Sequence, residues 1–395
     1  MKPELLAPAG DMECLKTAFL FGADAVYLGG PFMQLRSKVT GFTLEEIAEA
    51  VDYAHSLNKK VYVTVNSFAK DNEFDEIIEY AKKLKQANVD AVIVSDLGVI
   101  NTIHKHVPEL EIHVSTQANC QNAACAEVYK SLGASRIVLA REMSLEDIAD
   151  FTKQMPKDME IEAFVHGAMC MSFSGRCFIS EYINYRSGNR GECTQPCRWR
   201  YHLVEQRRPN EFYPIEESEN GTTLLSSRDL KCISFLDKLT DLGVCSFKIE
   251  GRMKSPYYVA TVVNAYRHAI DKTAPLEALE AELDCISHRP YSSGFYYGEL
   301  KTYLPDDDMA YKQEKVFAGI VKACENGRLL LEQRNRFFVG DVLEVVSPNS
   351  IGLSFEVKNM VNSLGESVDN APHPKELITI DCPFELNEGD ILRRK

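Results

Sequence analysis

The chain has no apolar run that approaches the ~18 residues of a membrane span. Its opening, Met1-Lys2-Pro3-Glu4-Leu5-Leu6, lacks the apolar core of a secretory signal. Both absences point to a cytoplasmic protein without membrane contact. Basic charge is also in short supply: 44 Lys and Arg stand against 58 Asp and Glu, a net of −14. Such a chain repels polyanions on average, so any nucleic-acid contact needs a local basic patch. There is no H-E-x-x-H, no G-x-S-x-G and no P-loop, which removes the common metalloprotease, serine hydrolase and NTPase signatures. The first turn, Ala7-Pro8-Ala9-Gly10-Asp11, is not G-x-G-x-x-G, which argues against an open dinucleotide-binding sheet. Cysteine, by contrast, is plentiful. There are 12 in 395 residues, and without an export signal they read as reduced thiols or metal ligands.

The length allows two or three domains. Short apolar runs alternate with amphipathic stretches over the first three-fifths of the chain. The strand candidates are Glu4–Ala7, Ala25–Leu28, Lys60–Thr64, Ala91–Val94, Glu111–Val114, Arg136–Leu139, Glu160–Phe164 and Ser246–Ile249. They are rich in Val, Ile, Leu and Phe, as buried parallel strands are. Thr43-Leu44-Glu45-Glu46 and Ser144-Leu145-Glu146-Asp147 read as capping boxes, and Ser255-Pro256 as a third helix start. Eight strands alternating with helices predict an α/β fold, a (β/α)8 TIM-like barrel, over residues 1–298. A cysteine-rich insertion, 167–242, interrupts it after strand seven, with strand-like pieces at Tyr201–Glu205 and Thr222–Leu225 and a helix from about Leu230. Residues 299–312 read as a linker. From 313 to 395 the period changes to two, over Val316–Val321, Arg328–Glu332, Asp341–Val346, Ser354–Met360, Glu376–Ile380 and Ile391–Arg393. These predict a small C-terminal antiparallel β-barrel domain.

The insertion carries the strongest chemical signal, Cys170-x6-Cys177-x15-Cys193-x3-Cys197, with Cys232 farther on. Converging thiolates bind zinc or iron–sulfur clusters, and only Cys193/Cys197 has the tight spacing usual for zinc, so the reading favours iron–sulfur. The other cysteines, Cys14, Cys120, Cys125, Cys245, Cys285, Cys324 and Cys382, show no ligand-like grouping and read as core thiols.

Strand ends of a barrel converge on one pocket. The residues there include Asn66, Asp96, His113, Gln117, Arg141, Glu142, His166, Glu250, Arg252 and Lys254, and Arg36 joins them as a candidate after strand two. Of these, His166, Glu250 and Arg252 are the catalytic candidates. Arg36, His113, Gln117, Arg141 and Lys254 are candidates for substrate binding. Arginines in a barrel mouth suit a small dicarboxylate, because the guanidinium fork pairs bidentately with carboxylates. The required basic patch exists as well: from Arg176 to Arg208, seven arginines face three glutamates, a local charge of +4. Phe178, Tyr182, Tyr185, Trp199 and Tyr201 interleave with them. Cations beside stacking rings suit single-stranded RNA or a tRNA loop, with Arg190, Arg198, Trp199 and Arg200 as the candidate contacts.

The segments Glu162-Ala163-Phe164-Val165-His166-Gly167-Ala168-Met169-Cys170 and Ser174-Gly175-Arg176-Cys177-Phe178-Ile179-Ser180 resemble the signature of the collagenase-like peptidase family U32. Asn189-Arg190-Gly191-Glu192-Cys193, Cys197-Arg198-Trp199, Lys248-Ile249-Glu250-Gly251-Arg252-Met253-Lys254-Ser255, Glu4-Leu5-Leu6-Ala7-Pro8-Ala9-Gly10 and Ser115-Thr116-Gln117 resemble further blocks of it. The family name implies proteolysis. The better understood members that the chain resembles are iron–sulfur proteins that hydroxylate RNA bases or quinone precursors without oxygen. In architecture the chain is most similar to those that support 5-hydroxyuridine formation at the tRNA wobble position. That resemblance implies a [4Fe–4S] cluster, prephenate as hydroxyl source and tRNA as partner. It also allows a partner subunit of the same family. A quinone-biosynthesis hydroxylase subunit of the same fold and a peptidase are the alternatives. Some relatives place a cluster cysteine two residues after the Asp of a Ser-x-Asp-Leu motif. Here Ser227-Arg228-Asp229-Leu230 is followed by Lys231 and then Cys232. The first quartet is therefore Cys170, Cys177, Cys193 and Cys197, and the alternative exchanges Cys193 or Cys197 for Cys232.

Overall fold

The computed structural model describes residues 2–35, 41–170, 172–199, 217–218, 221–222, 228–298, 311–348 and 352–394. The chain packs as two units. One comprises Met1–Leu15, Asp24–Met253 and Arg289–Tyr311, the other Lys16–Ala23, Lys254–His288 and Lys312–Lys395. The helix after the last barrel strand thus packs with the second unit.

In the first unit the strands are β1 (Glu4–Pro8), β2 (Ala25–Gly29), β3 (Lys60–Val65), β4 (Ala91–Val94), β5 (Glu111–Val114), β6 (Ala134–Val138), β7 (Glu160–Ala168), β8 (Asp229–Lys231), β9 (Ser246–Ile249) and β10 (Tyr291–Ser292). Among the described residues, β1 to β7 pair in parallel in sequence order, and β9 pairs in parallel with both β7 and β1. This closes an eight-stranded TIM-like barrel, as the alternation of the sequence predicts. Helices α1 (Met12–Leu20), α2 (Leu44–Ser56), α3 (Phe74–Gln86), α4 (Leu97–His106), α5 (Ala123–Ser131) and α6 (Leu145–Gln154) connect the first seven strands. The capping boxes form as read. Thr43 Oγ1 accepts from Glu46 N at 3.1 Å while Glu46 Oε2 accepts from Thr43 N at 2.8 Å, and Ser144 and Asp147 reciprocate in the same way. In α3, Ile77, Tyr80, Ala81 and Leu84 are buried, a 3.6-residue stripe that fixes which face turns inward.

The insertion departs from expectation at one point. Asp229–Lys231 is not the start of a helix but strand β8, antiparallel to the end of β7 with Leu230 opposite Gly167. The buried Asp229 carboxylate explains it. It accepts from Arg289 Nη2 at 2.6 Å and Nε at 3.0 Å, which draws β10 alongside β8. The helices around it, α7 (Ile179–Asn184) and α8 (Leu236–Asp241), are short. Gly221–Thr222 pairs with Glu217–Ser218. Tyr201–Glu205, residues 223–225 and residues 299–310 of the expected linker lie outside the described residues.

The second unit contains α9 (Pro256–Asp271), α10 (Leu276–Asp284) and the strands β11 (Val316–Glu325), β12 (Arg328–Gln333), β13 (Phe337–Phe338), β14 (Val342–Val346), β15 (Ser354–Glu356), β16 (Asn370–Ala371), β17 (Leu377–Asp381) and β18 (Ile391–Arg394). Among the described residues, six of these strands form an antiparallel sheet in the order β15-β14-β18-β11-β12-β17, and β13 pairs with β16. Alternate residues such as Leu329, Leu331, Ile378 and Ile380 fill its core. Asn326-Gly327 turns β11 into β12 with both φ angles positive, 51° and 74°, as a two-residue hairpin turn requires.

Candidate functional site

The cysteine segment after β7 is tied to the ends of three barrel strands. Beyond β3, Phe68 N donates to Asn189 O at 3.2 Å, and Arg190 Nη2 lies 2.7 Å from Glu73 Oε1. Beyond β5, Gly175 (φ +70°) sits so close to Gln117 that a Cβ would stand 2.0 Å from its carbonyl oxygen. Only glycine fits there. Beyond β6, the Glu142 carboxylate accepts from Ser174 N at 2.6 Å and Oγ at 3.1 Å. These are the C-terminal ends of parallel strands, where barrel active sites assemble.

Within the segment, Asn189 Nδ2 donates to Cys177 O at 3.3 Å, and Gly188 lies against Cys193, 3.9 Å from its sulfur to an ideal Cβ. Burial raises the Cys197 thiol, Arg198 draws it down, and Cys170, Cys193 and Cys177 each push it up. Cys197 is therefore within electrostatic reach of the other three cysteines of the first quartet. The alternative ligand is elsewhere: the Cys232 thiol is fully buried, burial is what raises it, and its backbone N donates to Val165 O in β7. Among the described residues, no three His, Cys, Asp or Glu side chains are gathered at metal-binding distance. Thiolates repel one another as they approach, and a cation at their centre reverses the sign of that interaction. Of the cysteines read as core, Cys14, Cys120, Cys285 and Cys382 are buried, Cys245 and Cys324 partly so, and Cys125 is exposed, a correction for that residue.

At the barrel mouth, Arg252 Nη1 donates to Thr64 Oγ1 and Nη2 to Gln34 Oε1, both at 2.7 Å. Gln34 is buried and returns its Nε2 to Gly30 O at 2.7 Å. Gly29 makes room for both side chains: a Cβ there would lie 2.0 Å from Gln34 Oε1 and 2.6 Å from Arg252 Nη1. On the other side of the barrel, Arg141 Nη1 donates to Ala168 O at 3.1 Å and its guanidinium stands 5.1 Å over the Phe164 ring. His166 is buried, its ring 5.6 Å from that of Tyr291, and its carbonyl accepts from Glu250 N at 2.9 Å.

Below the mouth lies a buried charged layer. Lys248 Nζ is 2.8 Å from Glu162 Oε1, and Arg136 Nη1 is 3.2 Å from Glu162 Oε2 and 2.7 Å from Glu4 Oε1. Tyr62 Oη donates to Glu4 Oε2 at 2.7 Å. His113 belongs to this layer: its Nε2 is 3.1 Å from Glu111 Oε1, its ring packs edge-on against Tyr62, and burial lowers its pKa.

Of the residues singled out in the sequence, Arg252, Gln117, Arg141, His166 and Glu250 thus sit at or beside the strand ends. Lys254 falls in the second unit, where Nζ is 3.3 Å from Ser287 O. Arg36 and Arg200 lie outside the described residues. Arg198 Nη1 donates to Gln195 Oε1 at 2.9 Å, and Trp199 is exposed. Sequence reasoning missed Gln34 and Thr64, which hold Arg252, and the Glu162–Lys248–Arg136 layer. Charged residues inside otherwise apolar strands were the available signal for the latter.

Residues 10–304 match peptidase family U32 and residues 313–393 match the peptidase family U32 C-terminal domain. The chain belongs to family U32. It is similar to tRNA hydroxylation protein P of Escherichia coli, at 36% identity over 99% of this chain and 97% of that one. It is similar to tRNA hydroxylation protein P1 of Bacillus subtilis at 38% identity, covering 100% and 95%. The 23S rRNA 5-hydroxycytidine C2501 synthase of Escherichia coli is 38% identical over 68% of this chain and 39% of its own length.

Proposed function

We propose that this U32 protein hydroxylates tRNA, converting the wobble uridine to 5-hydroxyuridine without molecular oxygen and with prephenate as the hydroxyl source. One observation carries the reading. A segment bearing Cys170, Cys177, Cys193 and Cys197 together with arginines and exposed rings is pinned to the strand ends around a barrel mouth in which neutral hydrogen bonds orient Arg252. The names of the two full-length relatives point the same way, and the rRNA relative extends the chemistry to a second base.

Each part of the site has a task in this reading. Cys170, Cys177, Cys193 and Cys197 would hold a [4Fe–4S] cluster, which supplies one-electron chemistry when bound. Arg252, its fork fixed by Thr64 and Gln34, takes a carboxylate of the dicarboxylate donor, and Arg141 faces the same mouth from β6. His166 and Glu250, joined through the backbone at the ends of β7 and β9, are the groups for proton exchange. The quinone reading gives no task to the exposed rings, and the peptidase reading none to the four cysteines.

The test is nucleoside mass spectrometry of tRNA from a strain lacking the gene, complemented with wild type or with Cys170→Ala. The expected result is loss of 5-hydroxyuridine and its derivatives, restored by wild type alone. An unchanged nucleoside profile alongside altered quinones would replace this reading with the quinone one.

A further inference from the structure

Helix α7 has two faces with opposite surroundings. On one, Ser180 is buried and its Oγ accepts from Thr194 N at 3.1 Å, while Asn184 Nδ2 donates to Thr194 Oγ1 at 2.8 Å. That face is fastened to the residue after Cys193. Beside the other, Phe178 at the N-cap and Tyr182 within the helix stand four residues apart on one stripe, and Tyr185 is the C-cap that follows. They are 65%, 76% and 92% exposed. The Phe178 and Tyr182 ring centroids are 6.2 Å apart and tilted by 44°, so their outer faces stay open. Tyr185 ends the helix at φ 54°, a left-handed position that favours glycine. A tyrosine kept there, almost wholly in solvent, is a local cost that packing within the described residues does not offset.

The surroundings indicate what covers this stripe. Arg176 is exposed, and Arg186, the residue after Tyr185, has its Nε buried without a hydrogen-bond partner. Aromatics and Arg are enriched at protein–protein interfaces too, and the self-association measurement below separates that occupant from RNA. Rings beside guanidinium groups are also the composition of a surface for unpaired nucleic acid, where bases stack and phosphates take the cations. The Arg186 side chain is only half-buried, so its guanidinium can turn out to a phosphate oxygen and release Nε from burial without a partner.

We propose that Phe178, Tyr182 and Tyr185 form a base-stacking platform for an unpaired stretch of RNA, and that Arg186 takes a phosphate of that stretch. The inference rests on the RNA-hydroxylation reading and adds to it the surface that holds the strand beside the cysteine segment. It also moves the stacking role from Trp199 to α7.

Fluorescence anisotropy of the full chain with an unmodified tRNA transcript, at several salt concentrations, tests it. Phe178→Ala, Tyr182→Ala and Tyr185→Ala should each weaken binding about 5- to 150-fold, the equivalent of ~1–3 kcal/mol of stacking per base, at high salt as well as low. Tyr182→Phe and Tyr185→Phe should bind as wild type does. Arg186→Gln should reduce the log–log salt slope by ~0.7. A single-stranded oligonucleotide should compete, and a duplex of the same length should not. Alanine variants that melt and bind as wild type does overturn the platform while the RNA reading stands. A wild type that binds no tRNA overturns both. Alanine variants that keep RNA affinity but lose self-association in the ultracentrifuge assign the stripe to a second copy of the chain and overturn the proposal.

Discussion

Arg190 forks onto Glu73, with Nη2 2.7 Å from Oε1 and Nη1 3.2 Å from Oε2, and also donates to Phe68 O. The residue that the sequence offers as an RNA contact is thereby a strut between the cysteine segment and the turn that opens α3. The Arg190 hydrogen bond holds the Glu73 carboxyl below its ordinary pKa. The tie is therefore complete above the usual carboxylate range and is lost as pH falls through that lowered value. Arg190→Ala should change the thermal stability of the barrel by only about 1 kcal/mol, because the pair is half-buried and still partly screened by solvent, yet speed proteolytic nicking of residues 172–199. Its tRNA salt slope should match wild type. A slope reduced by ~0.7 with unaltered nicking would return Arg190 to the phosphate-binding set.

The thiol arrangement makes a separate prediction about iron. Anaerobically purified protein should carry about four irons and four sulfides per chain, the content of a [4Fe–4S] cluster. Cys170→Ala, Cys177→Ala, Cys193→Ala and Cys197→Ala should each lose it. Cys232→Ala should retain it, because that thiol is sealed in the barrel wall while Cys197 has the other three as neighbours. Iron and sulfide analysis with visible absorbance decides this. Loss in Cys232→Ala with retention in Cys197→Ala would reverse the assignment.

The barrel was legible because its strands are short, apolar and regularly spaced, and because capping residues such as Thr43 and Ser144 mark the helix starts. The cysteine segment was legible from clustering alone. Its partners were not, because Glu73, Gln117 and Glu142 reach it across long sequence separations that no local pattern encodes. Asp229–Lys231 was misread for a similar reason. Its strand exists through a long-range pairing with β7 and an ion pair to Arg289, and tertiary pairing overrode local propensity there. Gln34 gave no signal beyond Gly29-Gly30 upstream, since a glutamine reads as polar surface until Arg252 is seen against it.

That pairing of Gln34 with Arg252 can be probed by charge at nearly constant shape. Arg252→Ala should weaken binding of a dicarboxylate such as prephenate by ~2–5 kcal/mol, the usual loss when a buried charged contact is truncated. Gln34→Glu places a carboxylate where Oε1 now accepts from Nη2 at 2.7 Å. It should neutralise the guanidinium and weaken the ligand comparably while the thermal transition is kept. Gly29→Ala should disturb both side chains, given the 2.0 Å approach of its Cβ to Gln34. Calorimetric titration with the dicarboxylate measures all three. Wild-type affinity in Gln34→Glu would show that Arg252 is held for structure and not for an anion.

The charged layer beneath the mouth should govern acid stability. Burial alone would raise the Glu162 carboxyl, but Lys248, Arg136 and His113 hold it at about 2, below its ordinary 4.5. A carboxylate lowered on folding stabilises the native state above its unfolded pKa, and that share is lost as pH falls from about 4.5 through about 2. Glu162→Gln removes the pH-dependent share and leaves Lys248 buried 2.8 Å from a neutral amide. Breaking one side of a buried pair costs ~3–5 kcal/mol at neutral pH. The variant's denaturation midpoint should therefore be lower at pH 7 and fall less steeply between pH 5 and 2 than that of wild type. The double variant Glu162→Leu with Lys248→Met should recover much of the loss, because apolar residues of similar volume replace buried pairs at little cost. Denaturant titrations across that pH range measure each. A Glu162→Gln protein within ~1 kcal/mol of wild type at pH 7 would show that water reaches the layer and screens it.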